Sequence, residues 1–183
     1  MYTQKAAVYV AFLRGINVGG NNIIKMEKLR EAFEQMGYTQ VRTYIQSGNV
    51  IFHTPTQDKK MIERHIEDSL KKIFHMTLKV LVRSQDDIEQ TIAHFPPLFA
   101  DQTWKHNVIY LRGSLDTEEI LKRFDLKKDI EHLAYYPGVL YWSAQMANLT
   151  KSTMLKLSTR AEYKDMTVRN MNTTKKILLL MQA

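Results

Sequence analysis

Three short stretches place residue types at spacings that can do chemistry. The first is AFLRGINVGGNN, residues 11–22, where Gly15, Gly19 and Gly20 stand among Asn17, Asn21 and Asn22, with Arg14 before the loop and Lys25 after it. Glycine and asparagine tolerate left-handed backbone, so such a loop can turn main-chain N–H groups toward a ligand. Where a helix follows, its first unsatisfied N–H groups point the same way, and the chemistry is anion binding. The second stretch, TYIQSGNVIF, offers the Tyr44 ring for stacking and Gln46, Ser47 and Asn49 as polar tips around Gly48. Turn chemistry alone also explains Gly48 and Asn49; it explains Gln46 less. The third, TVRNMNTTKK, sets Arg169 beside Asn170 and Asn172 at the opening of a helical pattern, with Thr167 or Asn170 available as a cap. A cation there opposes the helix dipole. Either an anion lies between Arg169 and the helix start, or the side chain turns to solvent or a nearby acid.

Other chemistry is excluded or unsupported. The chain has no cysteine, which removes disulfides and thiolate nucleophiles or ligands. Its six histidines show no metal-ligand spacing and there is no H-E-x-x-H, so no metal site is expected. There is no G-x-S-x-G and no recognisable catalytic motif. The spacing Gly-x-x-x-Gly-Gly is neither the dinucleotide fingerprint nor the P-loop, so no cofactor is implied. No apolar run approaches a membrane span, and the start of the chain lacks the basic and small-residue features of a signal peptide. A cytoplasmic protein is expected. The formal charge of +7 points to an anionic partner, or to a solvated basic surface with none.

Positioning these stretches requires a framework, and hydrophobic periodicity supplies one. Residues 6–13 read as a buried strand. Met26, Leu29, Phe33 and Met36 recur at helical spacing, with Gly37 as the stop. VRTYIQ (41–46) and NVIFHT (49–54) form a hairpin. A helix over 58–74 carries Ile62, Ile66, Leu70 and Ile73, and a strand over 77–82 follows. Residues 84–95 read as a short capped helix ended by Pro96-Pro97. The order then repeats: a strand over 106–113, a helix over 116–124 capped by Asp116, strands over 130–136 and 138–144, a short helix over 150–158, a short strand over 166–168 and a terminal helix. Val10–Gly15 (VAFLRG) aligns with Val108–Gly113 (VIYLRG), and a hairpin glycine follows each. The expected fold is α+β: two tandem ferredoxin-like βαββαβ halves with antiparallel sheets, plus a C-terminal helix. The halves are residues 1–83 and 105–183, joined by a connector over 84–104 with a short helix.

FLRGINVGGNNIIKMEKLREAFEQMGYTQVRTYIQSGNVIF and TVRNMNTTKKILLL resemble the opening and closing motifs of the bacterial domain-of-unknown-function family 1697. Met171 stands where that family commonly has tryptophan. The resemblance implies a tandem ferredoxin-like fold and no assigned activity. Its motif positions here are Arg14, Gly15, Asn17, Gly19, Gly20, Lys25 and Met26, the tip residues Tyr44 and Gln46–Asn49, and Arg169, Asn170, Asn172 and Thr173.

Three functions compete. An anion-binding module would hold a phosphate-bearing small molecule, a nucleotide or a nucleic acid backbone through Arg14, Lys25 and the loop amides, with Arg169 and Asn170 closing the site. An enzyme on a small phosphorylated or nucleotide substrate would need a general base, and Tyr44, Gln46 and the histidines are a poor supply. A structural protein would use open sheet faces as a homodimer interface.

Overall fold

A computed structural model of the chain describes residues 6–20, 22–97 and 102–183. Strand β1 (Ala7–Arg14) is a β-branched and aromatic run without glycine or proline, and it enters the centre of a sheet. Helix α1 (Met26–Gln35) buries Leu29, Ala32 and Phe33 on one face, and Gly37 at φ +89° turns the chain out of it. Strands β2 (Thr39–Tyr44) and β3 (Asn49–Thr54) form a hairpin. Helix α2 (Lys59–Phe74) is capped by Asp58, which accepts from Lys60 N and Met61 N. It buries Ile62, Ile66 and Leu70, whereas Ile73, on the stripe expected from sequence, is exposed. Strand β4 (Lys79–Ser84) and helix α3 (Gln85–Ala93) follow. Then come β5 (Trp104–Leu111), β6 (Glu131–Tyr136), β7 (Val139–Gln145), β8 (Met166–Asn170) and α4 (Met171–Met181).

The strands make two four-stranded antiparallel sheets, of order β2-β3-β1-β4 and β6-β7-β5-β8. Two compact units are present. One comprises the chain up to Ile88 together with Ile177–Ala183; the other is Glu89–Lys176. The chain therefore leaves the first unit inside α3 and returns to it inside α4.

In the first unit, alternate residues of the sheet (Tyr9, Ala11, Leu13, Val50, Phe52, Val80 and Val82) meet the apolar stripes of α1 and α2. The other set, Val10, Phe12, Ile51 and Leu81, is buried as well. Edge strand β4 does not leave all its outward amides bare: Val80 N and Val82 N donate to the Glu67 and Glu63 carboxylates of α2.

The second unit has the same strand order but different connections. The helix expected over 116–124 is instead a 3-10 turn over Glu118–Arg123 that begins after Thr117. Asp116 caps nothing there. Its Oδ1 accepts from Gly138 N at 2.6 Å and from the Tyr135 hydroxyl at 3.0 Å, pinning the β6–β7 hairpin. The helix expected over 150–158 is broken into 3-10 segments Met146–Lys151 and Thr153–Thr159 by extended backbone at Ser152. Strand β8 runs on to Asn170, so Thr167 and Arg169 are strand residues and α4 starts at Met171.

One detail of geometry recurs in both sheets. Leu13 N donates to Gly48 O at 2.8 Å, and Leu111 N to Gly138 O at 2.9 Å. Val10 pairs with Arg83 and Val108 with Arg169. Each arginine donates from Nη1 to the carbonyl before it, Val82 O at 3.0 Å and Val168 O at 2.9 Å.

Candidate functional site

The β1–α1 loop and the β2–β3 tip are stitched to each other by Asn17. Its Nδ2 donates to Ile24 O and Gln46 O, both at 3.0 Å, and its Oδ1 accepts from Ile24 N at 2.8 Å. Asn17 sits at φ +54°, in the left-handed region that asparagine tolerates. Its own N–H donates to Asn22 O, and Asn22 Nδ2 donates to Gly15 O at 3.0 Å. The side chains of Asn17 and Asn22 are thus spent on shaping the loop. Asn21 lies outside the described residues. Gly19 and Gly20, at φ +58° and +78°, are exposed.

The tip is built the same way. The turn is Ile45–Gly48, so Gln46 belongs to the turn and not to the strand expected over 41–46. Asn49 is fully buried; its Nδ2 donates to Tyr44 O at 3.0 Å and Ser47 Oγ at 2.9 Å. Gly48 at φ +72° lies under the loop, where a Cβ would meet Ile16 Cδ1 at 2.8 Å and Leu13 Cβ at 2.9 Å. Asn49 and Gly48 are therefore scaffold. The exposed Gln46 gives its carbonyl to Asn17 and leaves its amide in solvent. Tyr44 is half-buried at the end of β2.

Helix α1 starts at this junction in an unusual way. Its cap position is Lys25, an exposed cation, and no side chain caps the helix. By contrast Asp58 caps α2, Ser84 and Asp87 bond reciprocally at the start of α3, and Asn170 Oδ1 accepts from Asn172 N at α4. Cations are disfavoured at a helix N-terminus, so α1 begins with a conflict of sign that Glu27 in its first turn offsets in part. Arg14, at the end of β1, is paired in register with Lys79 of β4. Three apolar side chains are exposed on the same loop and tip: Val18, Ile23 and Ile45.

The third stretch belongs to the second unit. Arg169 is 9% exposed, on β8, and neither a solvent-facing cation nor a residue of the helix start. Burial draws its pKa down to about 10, against the raising influence of Tyr110 and Tyr163. Asn170 is the α4 cap, and Asn172, exposed, supplies the N–H that it accepts.

A model of the family of proteins of unknown function, DUF1697, matches residues 7–141. The chain belongs to this family. A solved structure of a conserved bacterial protein from Streptococcus pneumoniae has the same fold. It is 22% identical in sequence, with a TM-score of 0.85 over 98% of this chain and 100% of that one. No curated protein matches the chain. Family membership supplies no activity, so the chemistry must be read from the residues themselves. Among the described residues, no three histidine, aspartate or glutamate side chains come together as a metal site. None of the described helices is long and apolar enough to cross a membrane.

Glu131, which in sequence reads as a surface or packing residue beside His132, is a buried carboxylate. Glu131 is 1% exposed and accepts from Lys127 N, Trp142 Nε1, Ser152 Oγ, Thr153 N and Thr153 Oγ1. Burial alone would raise its pKa, yet the bonds from Lys127, Ser152 and Thr153 prevail and hold it below the ordinary carboxylate value. The available signal was its place on the inward face of β6 with Leu133 and Tyr135.

Proposed function

We propose that the β1–α1 loop and the β2–β3 tip form an anion-binding site for a phosphate-bearing ligand, small molecule or nucleic acid backbone. Lys25 and the uncapped first turn of α1 are the principal contacts; Arg14 follows Leu13 in β1 and so belongs to the sheet face turned away from α1. The observation that carries this reading is the cation at an uncapped helix start, beside exposed glycines. A bound anion would accept from the first-turn amides and neutralise Lys25, removing the conflict of sign. Gln46 and Tyr44, on the stitched tip, would read what is attached to the phosphate. Arg169, Asn170 and Asn172 are left out of this site: Asn170 is occupied as a cap, and Arg169 is a strand residue of the second unit. The two sheets are read as ferredoxin-like halves copied from one ancestor. The shared Leu–Gly bond and the shared valine–arginine pairing support that reading.

The test is binding of inorganic phosphate, AMP, ATP and a single-stranded oligonucleotide, followed by thermal shift and titration. At least one should bind, more weakly at higher salt. Lys25→Ala should weaken it about tenfold, the loss of one charge-assisted contact of ~1.5 kcal/mol. A flat response to all four ligands ends the proposal. An enzyme or a dimer through open sheet faces has no comparable observation behind it.

A further inference from the structure

The second unit holds a cavity of about 350 Å³ between its sheet and the 3-10 segments that follow β7, lined by Lys105, Asn107, Met154, Leu155, Leu157 and Val168 among others. Its size is at the small end of ligand sites, which run from ~300 to ~1,000 Å³. Ser152, where the backbone between the two segments is extended, is part of its wall.

Asn107 is the unusual wall. It lies on the inward face of β5, two residues before Ile109, and is 5% exposed. Its hydrogen-bond partner among the described residues is the Met154 sulfur, 3.3 Å from Nδ2. A thioether is a weak acceptor, and the carboxamide oxygen accepts from no described residue and is not sealed from solvent. Lys105, on the same face of β5, brings an exposed cation to the rim, and among the described residues no acidic side chain lines the cavity. The remaining lining is largely apolar, with Leu155 exposed at the surface.

We infer that this cavity binds a small carboxylic acid with an apolar body and a hydrogen-bond donor, such as a branched 2-hydroxy acid. The carboxylate pairs with Lys105. The hydroxyl donates to Asn107 Oδ1, and Nδ2 exchanges the sulfur for an oxygen. The carbon skeleton packs on Met154, Leu157 and Val168. This reading is independent of the anion site in the first unit.

The experiment titrates the full chain with 2-hydroxy-4-methylpentanoate and with its neutral amide, by calorimetry and by thermal shift. Saturable binding of the acid is expected, several-fold tighter than that of the amide. Lys105→Met, at an exposed position, should erase the preference for the acid and leave the amide unchanged. Asn107→Leu should cut the affinity for both about tenfold or more, because it removes both hydrogen bonds that the carboxamide gives the ligand. No saturable binding of the acid overturns the inference. So does an acid preference that survives Lys105→Met. Undiminished affinity in Asn107→Leu assigns Asn107 a purely structural role and overturns it as well.

Discussion

One carboxylate, Glu131, ties together the approach to β6, the indole of Trp142 and the turn at Ser152-Thr153. Ionised, it can accept from all five donors; protonated, it cannot. Its folded pKa lies below the unfolded value, so its stabilisation is complete above the unfolded pKa of ~4.3 and fades as pH falls through the folded one. Glu131→Gln keeps the shape but turns an acceptor into a donor among donors. At pH 7 it should cost about 2–4 kcal/mol in denaturant unfolding, as breaking a buried charged network does. The difference between wild type and variant should narrow between pH 5 and pH 3. A difference that stays constant across that window would show that the residue acts through packing and not charge. Glutamate in a strand carries no motif, so its burial was legible only from the alternation of β6. Asn107 poses the same problem on β5, where a polar residue shares a face with Ile109 and Leu111.

At the scale of elements, the first unit was readable because each element has a single clear period. Its strands are β-branched runs, and α1 and α2 carry apolar residues at helical spacing that end at Gly37 and at the left-handed His75. The second unit is less legible where the apolar pattern is too short to decide. In DTEEILKRF, Ile120 is buried and Leu121 and Phe124 pack beside it, a pattern that a 3-10 turn satisfies as well as an α-helix. In TKSTMLKLS the decisive force comes from outside the segment: Glu131 draws in Ser152 and Thr153 and breaks the helix. The start of α1 can be tested as an element. Lys25→Asp installs a preferred cap in place of a cation and should stabilise the folded chain by about 0.5–1.5 kcal/mol in chemical unfolding. The same change should abolish phosphate binding, because the new carboxylate takes the first-turn amides. Loss of stability in Lys25→Asp would mean that Lys25 supports the loop in some other way.

The whole molecule is less modular than its repeated pattern suggests. A division at residues 84 and 104 follows from the two echoes in sequence, yet the first compact unit also takes in Ile177–Ala183. Ile177 is fully buried and Met181 is 5% exposed, and Arg42 on β2 donates to Leu180 O at 3.5 Å and Ala183 O at 3.4 Å. Positive charge beside the last carbonyls of a helix is favourable, so the end of α4 has an electrostatic as well as an apolar reason to stay. Nothing local in NMNTTKKILLLM says where its apolar side is spent, since a terminal helix can pack on either half. A chain ending at Lys176 should therefore lose stability chiefly in the first unit, although the deleted residues follow the second in sequence. Ile177→Ala offers a milder form of the same test and should cost about 2–4 kcal/mol, as buried large-to-small changes do. Hydrogen exchange locates the effect. Faster exchange at the amides of β2 and β3 than at those of β6 and β7 is the expected result in both variants. Equal acceleration in the two sheets would mean that the helix stabilises the chain as one block, and unchanged exchange would mean that the segment is dispensable.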